Sequence, residues 1–274
     1  MHRRDALGLL GAGILGALRP GIRSSRRDCL TSIGLQLYTV RRELARDFDG
    51  TLARVAEIGY REVEFAGYFG RDPAAVKAAV ERVGLTAPGA HVPFESLGDD
   101  WPRTLEAAAS ARHQWVIVPW VPAEERRTLE AYRGVAARLG RAATAAQAAG
   151  LRFAYHNQAY DLAPLEGRVP YDVLLAETDI ELELDVYWTI AGGGDPLAYF
   201  ARYPGRFPCV HLKDAGPAPA HRMVDLGSGT IDFRAILARR RQAGIRHCFA
   251  EHDEPADALA TARASYAYLA NLEF

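Results

Sequence analysis

The 274-residue chain is poor in lysine, in cysteine and in net charge. Its 33 basic residues include only two lysines, Lys77 and Lys213, so arginine is the default cation. The three cysteines, Cys29, Cys209 and Cys248, imply no disulfide framework, and the last two sit in apolar runs where a free thiol behaves as a small hydrophobe. A formal net charge of -1 offers no general attraction to polyanions, which argues against nucleic acid as a partner. No stretch is long enough for a stable membrane span. The longest uncharged apolar run, Ala6 to Leu18, would make a helix of roughly 20 Å, against a hydrocarbon core of about 30 Å.

That run follows Arg3 and Arg4 and precedes Arg19-Pro20. A basic segment before a short apolar one reads as an export signal, and the paired arginines resemble a twin-arginine signal, which would send the folded protein to the periplasm. Residue Asp5 after the pair and the lack of a clean Ala-x-Ala site are departures from that pattern; without export the protein would be cytoplasmic. Residues 1–30 are thus assigned as export signal and linker, leaving 31–274 for one domain. A hydrophobic fraction of 49% is enough for its core.

Beyond residue 30, β-rich runs alternate with helical ones. Ile33 to Tyr38, Glu62 to Phe65, Thr86 to His91, Trp115 to Val118, Arg152 to Tyr155, Ile180 to Asp185, Cys209 to Leu212 and His247 to Glu251 read as strands. Between them, Asp72-Pro73 opens a helix to Val83, and Ala123 to Ala149 reads as one long helix. Glycines 59, 84, 150 and 244 end helices just before strands. Strands too apolar to be half exposed, each followed by a helix, predict an α/β fold with a single eight-stranded parallel (β/α) TIM barrel. The rival, an open doubly wound sheet, usually carries a glycine-rich turn after its first strand. Here that turn is Thr39-Val40-Arg41-Arg42.

A polar residue closes nearly every strand: Gln36, Glu64, His91, His156, Asp185, His211 and Glu251. In a closed barrel the strand ends share one rim, so these side chains become neighbours. Asp185, His211 and Glu251 are natural ligands of a divalent metal. A carboxylate ending a buried strand costs several kcal/mol unless a cap, an ion pair or a cation answers it. His156, in Tyr155-His156-Asn157-Gln158, is a fourth ligand, a general base or a hydrogen-bonding residue, with Asp161 as a rival ligand. His91 reads as a contact to substrate or to a ligand. Lys213, a lysine where arginine is the rule, suggests a compact, titratable ammonium, or a simple pair with Asp214. Trp188 offers an aromatic face to a sugar ring. The loop Asp225-Leu226-Gly227-Ser228-Gly229-Thr230 before Ile231-Asp232 is a weak candidate for anion binding.

The chain resembles the sugar phosphate isomerase/epimerase family, the xylose-isomerase-like barrels that also include endonucleases of abasic sites. The resemblance spans about residues 32 to 272 and rests on Ile33 to Arg41, Gly59 to Glu64, Tyr155-His156-Asn157, Val210 to Asp214 and the glycine loop before Ile231-Asp232-Phe233. It implies a divalent metal held from strands five to eight, where ketose epimerases of the family use Glu, Asp, His and Glu and move protons with the two glutamates. Asp185, His211 and Glu251 match the last three places. His156 stands in the first, which argues against symmetric two-glutamate epimerisation. Trp188 stands where those enzymes often have a substrate-binding histidine.

The resulting expectation is a metal-dependent isomerase or epimerase of a carbohydrate or keto-sugar, acting by proton abstraction next to a carbonyl through a metal-stabilised enediolate. Glu251 is the expected base, and Lys213 or His156 the acid. The metal ligands are His156, Asp185, His211 and Glu251, and Gln36, Glu64, His91, Asn157 and Trp188 contact the substrate. Manganese is the expected ion, with cobalt, zinc and iron as alternatives. A lyase or hydratase working through the same intermediate, or a non-catalytic sugar-binding barrel, is the alternative. Endonuclease action is disfavoured by the charge and the small ligand set. Export would favour free sugars or oxidised glycosides over sugar phosphates, and the sequence leaves the oligomeric state open.

Overall fold

The computed structural model describes residues 28–274. Arg3, Arg4 and the apolar run to Leu18, read above as an export signal, lie outside the described residues. Eight parallel strands close into a barrel: β1 (Gly34–Gln36), β2 (Glu62–Ala66), β3 (Thr86–His91), β4 (Trp115–Val118), β5 (Arg152–His156), β6 (Glu181–Asp185), β7 (Cys209–Leu212) and β8 (His247–Ala250). Each strand pairs with its sequence neighbours, and β8 returns to β1 through Gly34↔Phe249 and Leu35↔Ala250. Helices cover the outside. Among the described residues no helix is long and apolar enough to cross a membrane.

The departures from the sequence reading are local. β1 stops at Gln36 because its side chain accepts the Tyr38 N–H and turns the chain into a 3-10 helix, Leu37–Val40. β2 continues to Ala66, which leaves Glu64 two residues below the strand end. The long helix splits into a 3-10 turn, Ala123–Arg126, and a helix, Leu129–Ala148. Thr128 breaks it by adopting an extended backbone and accepting the Ala131 N–H as an N-cap.

Alternation along each strand sorts side chains to the two faces of the sheet. The outward set packs against the helices, as Leu35, Val63, Val116, Leu182, Val210 and Ala250 do in one continuous core. The inward set fills the barrel. Trp115, Ile117, Ala154, Cys209 and Phe249 form an apolar plug across it. Gly34 makes room for that plug, since a Cβ there would stand 2.3 Å from the Phe249 ring. Polar layers lie on both sides. On one, Glu181 takes Arg152 and the Trp115 indole N–H, and Glu62 takes His247. On the other are the strand-end residues.

The glycine loop after β7 has an occupant of its own. The buried Asp214 carboxylate accepts the backbone N–H groups of Gly227 and Gly229 on Oδ2 (both 3.0 Å), and those of Ala215 and Ile231 on Oδ1 (2.8 and 3.2 Å). The loop donors hold this carboxylate in place of an external anion, which corrects the reading of the loop as an anion site. It also removes Asp214 as the partner of Lys213. Asp214→Ala would strand several donors at once, each costing about 1–3 kcal/mol. Four donors at the low end of that range predict a fall of at least roughly 8 °C in the thermal midpoint, measured by thermal unfolding. An unchanged midpoint would show that the loop holds itself.

Candidate metal centre

Four strand ends set the site. Asp185 is fixed on three sides: its Oδ1 accepts the Trp188 N–H (2.8 Å) and caps the following helix, its N–H donates to Asn157 Oδ1 (3.0 Å), and its carbonyl accepts the Thr189 hydroxyl (2.7 Å). Oδ2 remains. His156 Nδ1 lies 3.1 Å from the Pro119 carbonyl, which makes Nδ1 the donor and leaves the lone pair on Nε2. His211 Nε2 lies 2.8 Å from Glu64 Oε1, which by the same logic turns Nδ1 inward as an acceptor. Glu251 follows β8 directly, its backbone N–H held by the Leu212 carbonyl.

His156 Nε2, Asp185 Oδ2, His211 Nδ1 and Glu251 Oε2 are all buried and all without a hydrogen-bond partner. The four residues bring one ligand atom each within 4.8 Å of one another. His211 Nδ1 is 2.7 Å from Glu251 Oε2 and His156 Nε2 is 3.3 Å from Asp185 Oδ2, close but badly directed for hydrogen bonds. Atoms that approach without pointing at each other face a common point. A divalent cation there would answer all four, and a set of two imidazoles and two carboxylates suits one.

Lys213 supplies the positive charge beside this group. Its Nζ donates to Asp253 Oδ1 (2.7 Å) and lies 2.9 Å from Glu251 Oε2 and 3.1 Å from Asp185 Oδ2. Burial alone would push the lysine down; Asp185, Glu251 and Asp253 outweigh it and hold the ammonium well above its usual range. Burial would likewise raise Glu251 and Asp185, but Lys213 and the histidines keep both carboxyls below theirs. His211, despite burial, is held well above the usual imidazole value by Glu183, Glu251 and Glu64. In the doubly protonated ring Nδ1 must give up its proton before it can serve as the acceptor that a cation needs, so affinity rises with pH.

Beneath this group lies a second one. Glu64, His91, Glu183 and His211 also bring ligand-type atoms within 4.8 Å of one another. Here the close contacts are hydrogen bonds, Gln36 Nε2 donating to Glu64 Oε1 (2.5 Å) and His91 Nε2 reaching Glu183 Oε2 (2.9 Å), while one oxygen each of Glu64 and Glu183 stays without a partner. The two carboxylates hold His91 up to about 9 against its burial. Glu183 went unread in the sequence. Its signal was parity with Asp185: Glu181, Glu183 and Asp185 alternate with Leu182 and Leu184 and share the inward face.

A cavity of about 450 Å³ opens above the group, with His156, Lys213, Glu251, Asp253 and His91 on its wall. Of the residues expected to touch a substrate, His91 alone reaches it. Gln36 and Glu64 are fully buried in the lower group because their strands bend away or continue past them. Asn157 is spent on Asp185 and Thr189. Trp188 stands beside the cavity, its ring 5.7 Å from Lys213 Nζ. Asp161 is not near the group: its carboxylate accepts the hydroxyls of Tyr132 and Tyr155 and the Gln158 N–H.

Fold and site define a closed parallel barrel with a potential metal-ligand set at the carboxyl rim of its strands. The chain belongs to the xylose isomerase-like TIM barrel family, whose model matches residues 52–272. It is 26% identical over 217 residues to an inosose dehydratase of Geobacillus kaustophilus (strain HTA426), a match covering 70% of this chain and 68% of that protein. A sugar phosphate isomerase/epimerase from Parabacteroides distasonis ATCC 8503 superposes with a TM-score of 0.78 at 26% identity, over 88% of this chain and 98% of that one. The IOLI protein, solved with a bound zinc atom, shares the fold at 14% identity, with a TM-score of 0.69 over 86% and 96% of the two chains.

Two tests separate ligand positions from structural ones. His156→Ala and Asp185→Asn should each weaken manganese or zinc binding, read by calorimetry, by more than the roughly 10–100-fold expected for the supporting Glu183→Gln. Asp161→Asn should leave metal binding intact; loss of binding there would move the first ligand from His156 to Asp161. Burial pushes the Asp161 carboxyl from 3.8 up to about 6. A group raised on folding contributes stability that is complete below its unfolded value and is lost as pH rises through its folded value. The stability of the unmutated protein relative to Asp161→Asn should therefore fall between about pH 4 and pH 6, checked by thermal midpoints of the two across that range. A constant difference would contradict the shift.

Proposed function

We propose that the protein is a metal-dependent acid–base enzyme that removes a proton next to the carbonyl of a keto-sugar. The observation that carries this reading is the convergence of four buried ligand-type atoms without a hydrogen-bond partner, two of them facing the Lys213 ammonium, at the floor of the cavity. His156, Asp185, His211 and Glu251 would hold the ion, with manganese as our choice among metals that accept mixed oxygen and nitrogen ligands; the zinc of the IOLI protein supports a transition metal in this fold. When bound, the ion supplies a Lewis acid for the carbonyl oxygen, a contribution of several kcal/mol.

The protein groups divide the proton work. Glu251 is ionised and so can accept a proton; Lys213 is protonated and so can give one. They lie 2.9 Å apart and so serve the same face of a bound ring. Epimerisation needs a donor on the face opposite the base, and this pair cannot supply both faces. A proton shift between adjacent carbons needs one face only. Elimination is the second reading, supported by the inosose dehydratase relative: Glu251 takes the proton, the C–H electrons form the double bond, the bond to the β-oxygen breaks, and Lys213 protonates the departing oxygen. His156, its Nδ1 occupied at Pro119, is kept for the ion. Export, proposed from Arg3 and Arg4, would bring unphosphorylated sugars to the site, and the occupied glycine loop agrees with such substrates.

Glu251→Gln keeps the shape and one oxygen but removes the base. Solvent deuterium incorporation beside the carbonyl of a bound keto-sugar should slow by about 10²- to 10⁴-fold, with metal binding losing less. Exchange at the unmutated rate would move the base elsewhere. No exchange in the unmutated protein with any of a keto-sugar panel would leave the binding-module reading.

A further inference from the structure

The cavity is divided. His156, Lys213, Glu251 and Asp253 make one wall polar; apart from His91 and Gln158 the remainder is small, apolar or aromatic, with Ala66, Val92, Pro93 and Pro119 among it. Tyr38 and Trp120, 39% and 43% exposed, are the large hydrophobic side chains left open to solvent among the described residues. Both line this cavity. Neither is on a wandering segment. The Arg41 guanidinium covers one face of the Tyr38 ring at 3.9 Å, and its Nη1 is tied to the carbonyls of Tyr38 and Asp253, so the ring is braced with its other face open. Trp120 is held by its neighbours: the Pro119 carbonyl meets His156 Nδ1 and Gln158 Nε2, and the Val121 N–H donates to the Tyr160 hydroxyl. The indole itself makes no ring contact or hydrogen bond among the described residues.

Two braced aromatic faces kept wet on one cavity are costly unless something covers them, because apolar surface in water is unfavourable. The chemistry that fits them is a ring with apolar C–H or π faces, and the neighbouring polar wall already takes the reacting sugar. At about 450 Å³ the cavity has the size of pockets that enclose drug-sized, several-ring ligands. We propose that the apolar half, between Tyr38 and Trp120, binds the second ring of a glycoside, so that the substrate is a keto-sugar carrying a glycosidic partner rather than a free keto-monosaccharide. This rests on the keto-sugar reading for the polar half, and it is tested by binding alone so that the two can fail separately.

The manganese-loaded protein is titrated, by calorimetry and tryptophan fluorescence, with glucose, galactose, their phenyl α- and β-glycosides, and cellobiose and lactose. At least one two-ring ligand should bind about tenfold or more tightly than its parent hexose. Trp120→Ala should reduce that ratio to within about twofold, and Tyr38→Ala should reduce it in part. Trp120→Phe, which keeps an aromatic face, should retain most of it. Equal affinity for one and two rings, no measurable binding of any glycoside, or a ratio unchanged in Trp120→Ala overturns the proposal. Deuterium exchange with a tight-binding keto-glycoside but a flat ratio would overturn this subsite while leaving the proton chemistry standing.

Discussion

His211 is the residue on which the arrangement turns. One imidazole meets carboxylates at both nitrogens: Glu64 and Glu183 at Nε2, Glu251 at Nδ1. Buried carboxylates without a positive partner are too costly to keep ionised, and here the partners are few. Below, two imidazoles face two glutamates. Above, Lys213 faces Asp185, Glu251 and Asp253. The lower glutamates fix which His211 nitrogen keeps its proton and thereby which one faces the upper group. Charge in one layer sets geometry in the next.

The barrel makes this possible by stacking. Inward residues recur every second position, so a strand that supplies Asp185 to the rim also supplies Glu183 and Glu181 to the layers below. The apolar plug around Phe249, admitted by Gly34, separates the deepest ion pairs from the rim. The rim layer is then free to carry charge that the core could not. Asn157 and the helix cap on Asp185 use up every polar contact of that residue but one oxygen, the one left to the site.

Much of this was legible in the chain. The eight strands read from alternation and helix-ending glycines lie within one or two residues of those observed, and His156, Asp185, His211 and Glu251 do share one rim. Strand ends announce a rim; depth is harder. The run Glu62 to Phe65 places Glu64 near a strand end, yet β2 extends to Ala66 and sinks Glu64 into the lower layer. Gln36 turned inward because it caps its own turn. Glu183 was hidden inside a strand, and Trp120, in a loop after β4, had no periodic pattern to mark it. The glycine loop carried donors whose acceptor, Asp214, is eleven residues upstream of Asp225 and adjacent only in the fold. Local pattern gives position along a strand; partners across the barrel come only with closure.

On this reading the upper group, and not the lower, holds the divalent cation. Anomalous diffraction at the manganese edge from crystals of the manganese-loaded protein decides it. One peak is expected about 2.0–2.3 Å from His156 Nε2, Asp185 Oδ2, His211 Nδ1 and Glu251 Oε2, with Glu64 and Glu183 still hydrogen-bonded to His211 and His91. A peak among Glu64, His91 and Glu183, or no ordered manganese at either group, would contradict it.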